Sequence, residues 1–171
     1  MPKQSASKRE QVAERTAQND PDLERALYLV NSGSNPMEGI TLLRQMVEED
    51  STNVEAQLWL GRFSIQSNQL DKALNRFKTV TRIQPQYADG WWELAMLQWD
   101  MQDHQDALVS FETTYALDST FQNALFFMGQ CYEKSGDSAA ALDAYERLLP
   151  RSEDPAVTKW LEQQINELRN T

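Results

Sequence analysis

Residues 54–87 read as one complete helical hairpin, and this 34-residue unit recurs along the chain. Stepping 34 residues from Leu60 reaches Leu94 and Met128 downstream and Ala26 upstream, and stepping from Gly61 reaches Ala95 and Gly129. Ala73 maps onto Gly39, Ala107 and Ala141, and Phe77 onto Leu43, Phe111 and Tyr145. Small residues answer small ones and large answer large. A period of this length means that each unit buries its apolar face only against its neighbours, so the core runs along an axis and does not gather at one centre. Two helices of a hairpin approach closely only where a small side chain leaves room. Gly61 and Ala73 leave that room, Phe77 fills what remains, and Pro85 stops the second helix and turns the chain into the next repeat.

The combination of Leu60-Gly61, Ala73, Phe77 and Pro85 resembles the tetratricopeptide repeat. The resemblance covers residues 20–149 and implies an all-α, right-handed solenoid of four helical hairpins, 20–53, 54–87, 88–121 and 122–149. An N-terminal tail or marginal helix (1–19) precedes the array, and a linker and capping helix (150–171) follow it. The third repeat departs from the family pattern at Ser119, where Pro is usual, and at Thr114, where a small Ala is usual. In the first repeat Leu27 takes the place of a small residue and Gly39 that of Ala, so the size demand is exchanged between its helices and it reads as a capping repeat.

Local signals place the helices. Ser7 and Glu10 have capping-box spacing ahead of a weak apolar stripe, which gives a marginal helix over 8–18. Asp20-Pro21 is a sharper start, with Asp as N-cap and Pro in the first turn, and opens a helix over 21–32; Pro36 opens the next. Thr52 and Glu55 again have capping-box spacing before helices at 54–67 and 70–83, and the same phase predicts 88–101, 104–117, 122–135 and 138–149, the last capped by Asp137. Asp154-Pro155 restarts a helix in which Val157, Trp160, Leu161, Ile165 and Leu168 form one apolar stripe. A one-sided helix of that kind covers the raw apolar end of the last hairpin.

Charge and composition exclude several functions. The net charge of -10, with no basic stripe to offset it, repels phosphate backbones and excludes nucleic acid as partner. The single cysteine, Cys131, excludes an intrachain disulfide, and the absence of any run of 18 apolar residues excludes a membrane span in this chain. The polar start fits two compartments. One is the cytoplasm; the other is the soluble, extracytoplasmic part of an anchored protein whose N-terminus has been trimmed, as in the bacterial tetratricopeptide proteins this chain resembles.

Chemistry has few candidates. His104, the only histidine, lies between Asp103 and Asp106, but at a helix start that needs polar residues in any case. Cys131 follows Gly129 by two residues and reads as a buried, inert thiol. Metal-ligand spacing and Gly-rich phosphate loops are absent from the sequence, so no catalytic residue, metal or cofactor is assigned and the chain is not expected to be an enzyme.

The strongest signal is a surplus of large apolar residues. The helix predicted at 88–101 carries Trp91, Trp92, Leu94, Ala95, Met96, Leu97, Trp99 and Met101, apolar nearly all round. In the family that the chain resembles, the first helix of each hairpin lines a concave groove. Carried over by position, the resemblance implies a peptide-binding groove from Tyr28 in the first repeat and from Trp59, Arg62 and Gln66, with Leu58, in the second. The third repeat adds Asp89, Trp92, Glu93, Met96 and Trp99, and the fourth Phe127, Gln130 and Lys134. Trp91 and Leu94 fall on core positions. The Lys, Asn and Arg clamp that holds a partner's terminal carboxylate in some arrays is not matched: Leu58, Glu93 and Phe127 stand where its members would fall. The expected function is therefore a protein–protein interaction module whose aromatic groove takes a peptide or extended segment, apolar and neutral to basic because Asp89, Glu93 and Asp100 outnumber Arg62. The alternatives are a structural or assembly subunit that homodimerises or docks a folded partner through the same patch, aromatics spent on packing between hairpins, and a groove filled by the chain's own N-terminus.

Overall fold

The computed structural model describes residues 20–170, all of whose regular elements are helical. The marginal helix expected at 8–18 lies outside the described residues. In order, the helices are α1 (Pro21–Asn31), α2 (Pro36–Glu49), α3 (Val54–Gln66), α4 (Leu70–Ile83), α5 (Ala88–Asp100), α6 (His104–Leu117), α7 (Asn123–Ser135), α8 (Ser138–Leu148) and α9 (Pro155–Arg169). A 3-10 turn, Leu149–Arg151, follows α8. These are the eight hairpin helices that the 34-residue period predicts and the end helix that Asp154-Pro155 and its apolar stripe predict, so the all-α repeat fold is borne out. The chain divides into two compact units, Met1–Arg76 and Phe77–Thr171.

The first unit centres on Ala26, Leu43, Ala56 and Leu60, with Ile40, Val47, Trp59 and Phe63 packed around them. A close helix approach lies at Gly39, where an added Cβ would stand 2.5 Å from the Ala26 carbonyl oxygen and 2.6 Å from Val30 Cγ2. The exchange of sizes read from the first repeat thus brings two backbones together at Gly39. Arg25 on α1 donates to Glu38 on α2 at 2.9 Å, joining the exposed rims of the pair.

The second unit has the larger core, built from Ala95, Ala107, Phe111, Ala124, Leu125, Ala141, Ala144 and Tyr145 and closed by Leu161 and Ile165 of α9. Gly129 and Tyr145, separated in the repeat like Gly61 and Phe77, show the small-against-large fit directly: a Cβ on Gly129 would stand 2.2 Å from the Tyr145 ring. Thr114, a departure from the family pattern, is fully buried without cost because its hydroxyl donates to the Ser110 carbonyl at 2.9 Å. The apolar stripe of α9 faces inward as expected, with Val157, Trp160 and Leu168 half-buried beside Leu161 and Ile165.

The caps agree with the sequence with one exception. Asp20, Asp137 and Asp154 accept from backbone N–H groups of the first helical turn after each of them, at 3.0, 3.0 and 2.8 Å respectively. The capping box expected at Thr52 and Glu55 does not form. Asn53 is the cap, accepting from Ala56 N at 3.0 Å, while Thr52 donates from its backbone and its hydroxyl to Asp50. Asp50 and Thr52 close a tight local turn, and the turn leaves the next polar side chain to face the helix end.

The turns inside the hairpins also repeat. Asn68, Gln102 and Gly136, 34 residues apart, all have positive φ, at 56°, 65° and 81°. Each is followed by a residue whose N–H returns to the carbonyl five positions back, as in Asp103 to Gln98 at 2.9 Å and Asp137 to Tyr132 at 2.9 Å. Glycine adopts this conformation freely, asparagine tolerates it, and glutamine is strained there. Gln102→Gly is expected to raise stability by about 0.5–1 kcal/mol, whereas Gly129→Ala, which drives a methyl into Tyr145, is expected to lower it by about 1–3 kcal/mol. Urea titration of the two variants reads both signs.

Candidate functional site

The residues expected to form a groove fall in both units. In the first unit Tyr28 is 69% exposed on α1, and Trp59 is half-buried against the unit's core with the Arg62 guanidinium 4.7 Å from its ring centroid. Gln66 is exposed at the end of α3. Leu58, expected beside Trp59, is only 2% exposed and belongs to the interior. Its neighbour Trp59 takes the outer position because consecutive helical residues point about 100° apart.

In the second unit, Asp89, Trp92, Glu93, Met96, Trp99 and Asp100 recur at intervals of three, one, three, three and one residues, which sets them on one face of α5. Phe126, Phe127, Gln130 and Lys134 share a face of α7 by the same spacing. Ring contacts join the two faces: Phe127 lies 6.0 Å from Trp92 and 5.4 Å from Trp99, both edge-on. Beneath them Phe111 of α6, fully buried, stacks on Phe127 at 5.0 Å and meets Trp92 at 5.6 Å. Phe126 continues the series to Trp160 of α9 at 5.1 Å. Trp92, Met96, Trp99, Phe126 and Phe127 are therefore part of the packing, yet each keeps some surface exposed. Asp89, Asp100 and Lys134 are exposed around them, and Lys134 Nζ lies 5.9 Å from the Trp99 ring centroid.

Trp91 corrects an expectation. It does not enter the core but lies half-buried on the surface of α5, where its indole N–H donates to the Pro85 carbonyl at 2.9 Å. The fit at the neighbouring Gly90 explains why: a Cβ there would stand 2.6 Å from Val80 Cγ1, so α4 lies too close to admit an indole. Trp91 instead ties α5 to the proline turn before it.

Sequence reading also missed three contributors. Phe121 packs on Trp92 at 5.5 Å, and the 34-residue step from Tyr87 was the signal that could have found it. The other two are tyrosine–carboxylate pairs, in which Tyr132 donates to Glu112 and Tyr145 to Glu133, tying α7 to α6 and to α8. Burial, aided by Glu112, pushes the Tyr132 phenol up to about 12. No periodicity announces such pairs.

The possible chemical groups are held as structural ones. The His104 ring packs 4.7 Å from Trp99, its Nδ1 is buried without a hydrogen-bond partner, and the adjacent Asp103 carboxylate accepts from the Asp106 backbone at 3.4 Å. Cys131 is 2% exposed, and burial pushes its thiol up to about 11, away from the thiolate that nucleophilic chemistry needs, despite the pull of Lys134. Among the described residues no group of His, Cys, Asp or Glu is gathered to hold a metal, and no helix is long and apolar enough to cross a membrane.

The family model described as the tetratricopeptide repeat matches residues 35–96 and 98–161, which together make up most of the chain. No curated protein matches. Among solved structures the chain is similar to that of MamA protein, with a TM-score of 0.69 and 19% identity over 87% of this chain and 79% of that one. It is also similar to the MamA RS-1 ArsTM double mutant, with a TM-score of 0.68 and 13% identity over 87% and 93%. A tetratricopeptide repeat protein from Parabacteroides merdae gives 0.74 and 16%, over 88% of this chain and 60% of that one. At these identities the likeness concerns the fold.

The two adjacent tryptophans of α5 should respond differently to truncation. Trp92→Ala empties the space against Phe111, Phe121 and Phe127 and is expected to cost about 3 kcal/mol or more. Trp91→Phe removes only the bond to the Pro85 carbonyl and is expected to cost about 1 kcal/mol. Chemical denaturation of both variants measures the difference.

Proposed function

This chain belongs to the tetratricopeptide repeat family, whose members serve as protein–protein interaction modules, and from that premise we propose that it takes up an extended, apolar segment of a partner protein on the inner face of α5 and α7. The observation that carries the reading is the group of rings in which Trp92, Trp99 and Phe126 each pack on Phe127 and all four stay partly exposed. Rings fixed by their neighbours lose little freedom on binding, and central aromatic anchors supply most of the affinity in interfaces of this kind. Met96, an adaptable thioether between the two indoles in sequence, suits segments of varied shape. Binding is favoured as the role because His104 packs against Trp99 and Cys131 is buried, so both are committed to packing.

Selection of peptides from a random display library on the immobilised protein tests the reading, alongside light scattering over a dilution series. Enriched peptides are expected to bind a monomer and to lose about 30-fold in affinity when Trp99 is truncated to Ala. Val109→Ser, at an exposed position of α6, should leave their affinity unchanged. A dimer that excludes the peptides, or peptides indifferent to Trp99, would transfer the face to self-association or to packing alone.

A further inference from the structure

The charge of the chain is unevenly placed. Residues 77–171 hold fifteen of its twenty-six Asp and Glu but only seven of its sixteen Lys and Arg. Within them, residues 83–133 contain no Lys or Arg at all and eight carboxylates, at Asp89, Glu93, Asp100, Asp103, Asp106, Asp118, Glu112 and Glu133. This is the stretch that carries Trp92, Trp99 and Phe127. Arg147 pairs with Asp143 and Arg169 with Glu146, so these cations serve α8 and α9. Asp89 and Asp100 stand exposed at the two ends of the α5 face, with no ion pair among the described residues. Carboxylates of one sign gathered around a face raise the local concentration of cations, most strongly at low salt.

A second observation points to the same ligand chemistry. The first cation after that stretch, Lys134, places its ammonium 5.9 Å from the Trp99 ring centroid. The ring thus has a face open to a cation, and the chain's own lysine occupies it. Ring quadrupole and surrounding carboxylates favour positive charge together.

Resting on the peptide-receiving role of the α5 and α7 face, we propose that the segment bound there carries Arg or Lys between its apolar anchors. One of its cations takes the place of Lys134 over Trp99, and others lie against Asp89 and Asp100. The basic groups set orientation and speed of encounter, and the apolar anchors set residence time. An acidic or purely neutral segment meets the same rings but gains nothing from the field.

Fluorescence anisotropy of the full chain with four labelled peptides tests this. One alternates Leu, Phe and Arg; two others carry Gln or Glu in place of Arg; the fourth keeps Arg and replaces the apolar residues by Ser. The apolar Arg peptide is expected to bind about tenfold more tightly than its Gln counterpart at low salt, an advantage that fades as salt screens the field. Joint Asp89→Asn and Asp100→Asn substitution should weaken it about fivefold, and Lys134→Met should tighten it at least about twofold by removing the internal competitor. Equal binding of the Gln or Glu peptide would overturn the basic character while leaving the face a peptide site. Equal binding of the Arg and Ser peptide would overturn it as well, since only bulk charge would then be read. Weaker binding by Lys134→Met would contradict the exchange of cations, and failure of all four peptides would remove the face together with its charge preference.

Discussion

The first and fourth hairpins each depend on a missing side chain. Where α7 carries Gly129, the Tyr145 ring of α8 occupies the space that a Cβ would need, and where α2 carries Gly39 the backbone of α1 does the same. Helices held this close fix the rotation of each about its own axis, because ridges and grooves interlock in few arrangements. Once the rotation is fixed, so is the face that each first helix turns away from its partner. The Tyr145 hydroxyl, bound to Glu133 on the helix that carries Gly129, ties the same contact from its other end.

In the third repeat the packing shapes the face proposed for binding. Its ring at the position of Tyr145 is Phe111, which is fully buried and reaches past its own hairpin to stack on Phe127 of α7. Phe127 in turn receives the edges of Trp92 and Trp99. Packing and surface are therefore one structure here: the rings that a partner would touch are held by those that stabilise the array. Rings held in this way would change little on binding a partner of the kind proposed. Asp89 and Asp100 stand exposed beside these rings with no ion pair among the described residues, so their charge can be altered with little effect on the packing.

Most of the fold was legible because a 34-residue period repeats both the sizes and the turns. The bounds of α4 and α6 fall where Leu70 and His104 begin the second helices and where Ile83 and Leu117 end them. Reading was weaker where two nearby residues compete for one role. Thr52 and Asn53 both suit a helix start, and the turn made by Asp50 decided for Asn53. Leu58 and Trp59 both fit an inner position, and the helix rotation buried the first. Trp91 was misplaced because periodicity reports direction but not available depth, and the approach of α4 at Gly90 leaves none. The alternative in which the aromatics serve packing between hairpins is met in part, since Trp92, Trp99 and Phe127 are each half-buried against the core.

Trp92 and Trp99 are held in the packing yet keep part of their surface exposed beside Asp89 and Asp100. Fluorine NMR of the protein labelled with 5-fluorotryptophan, with single Trp→Phe variants to assign the five signals, tests this arrangement directly. A cationic paramagnetic agent is expected to broaden the Trp92 and Trp99 signals at low salt, and an anionic agent of the same size to leave them sharp. Equal broadening by both agents, or by neither, would contradict it.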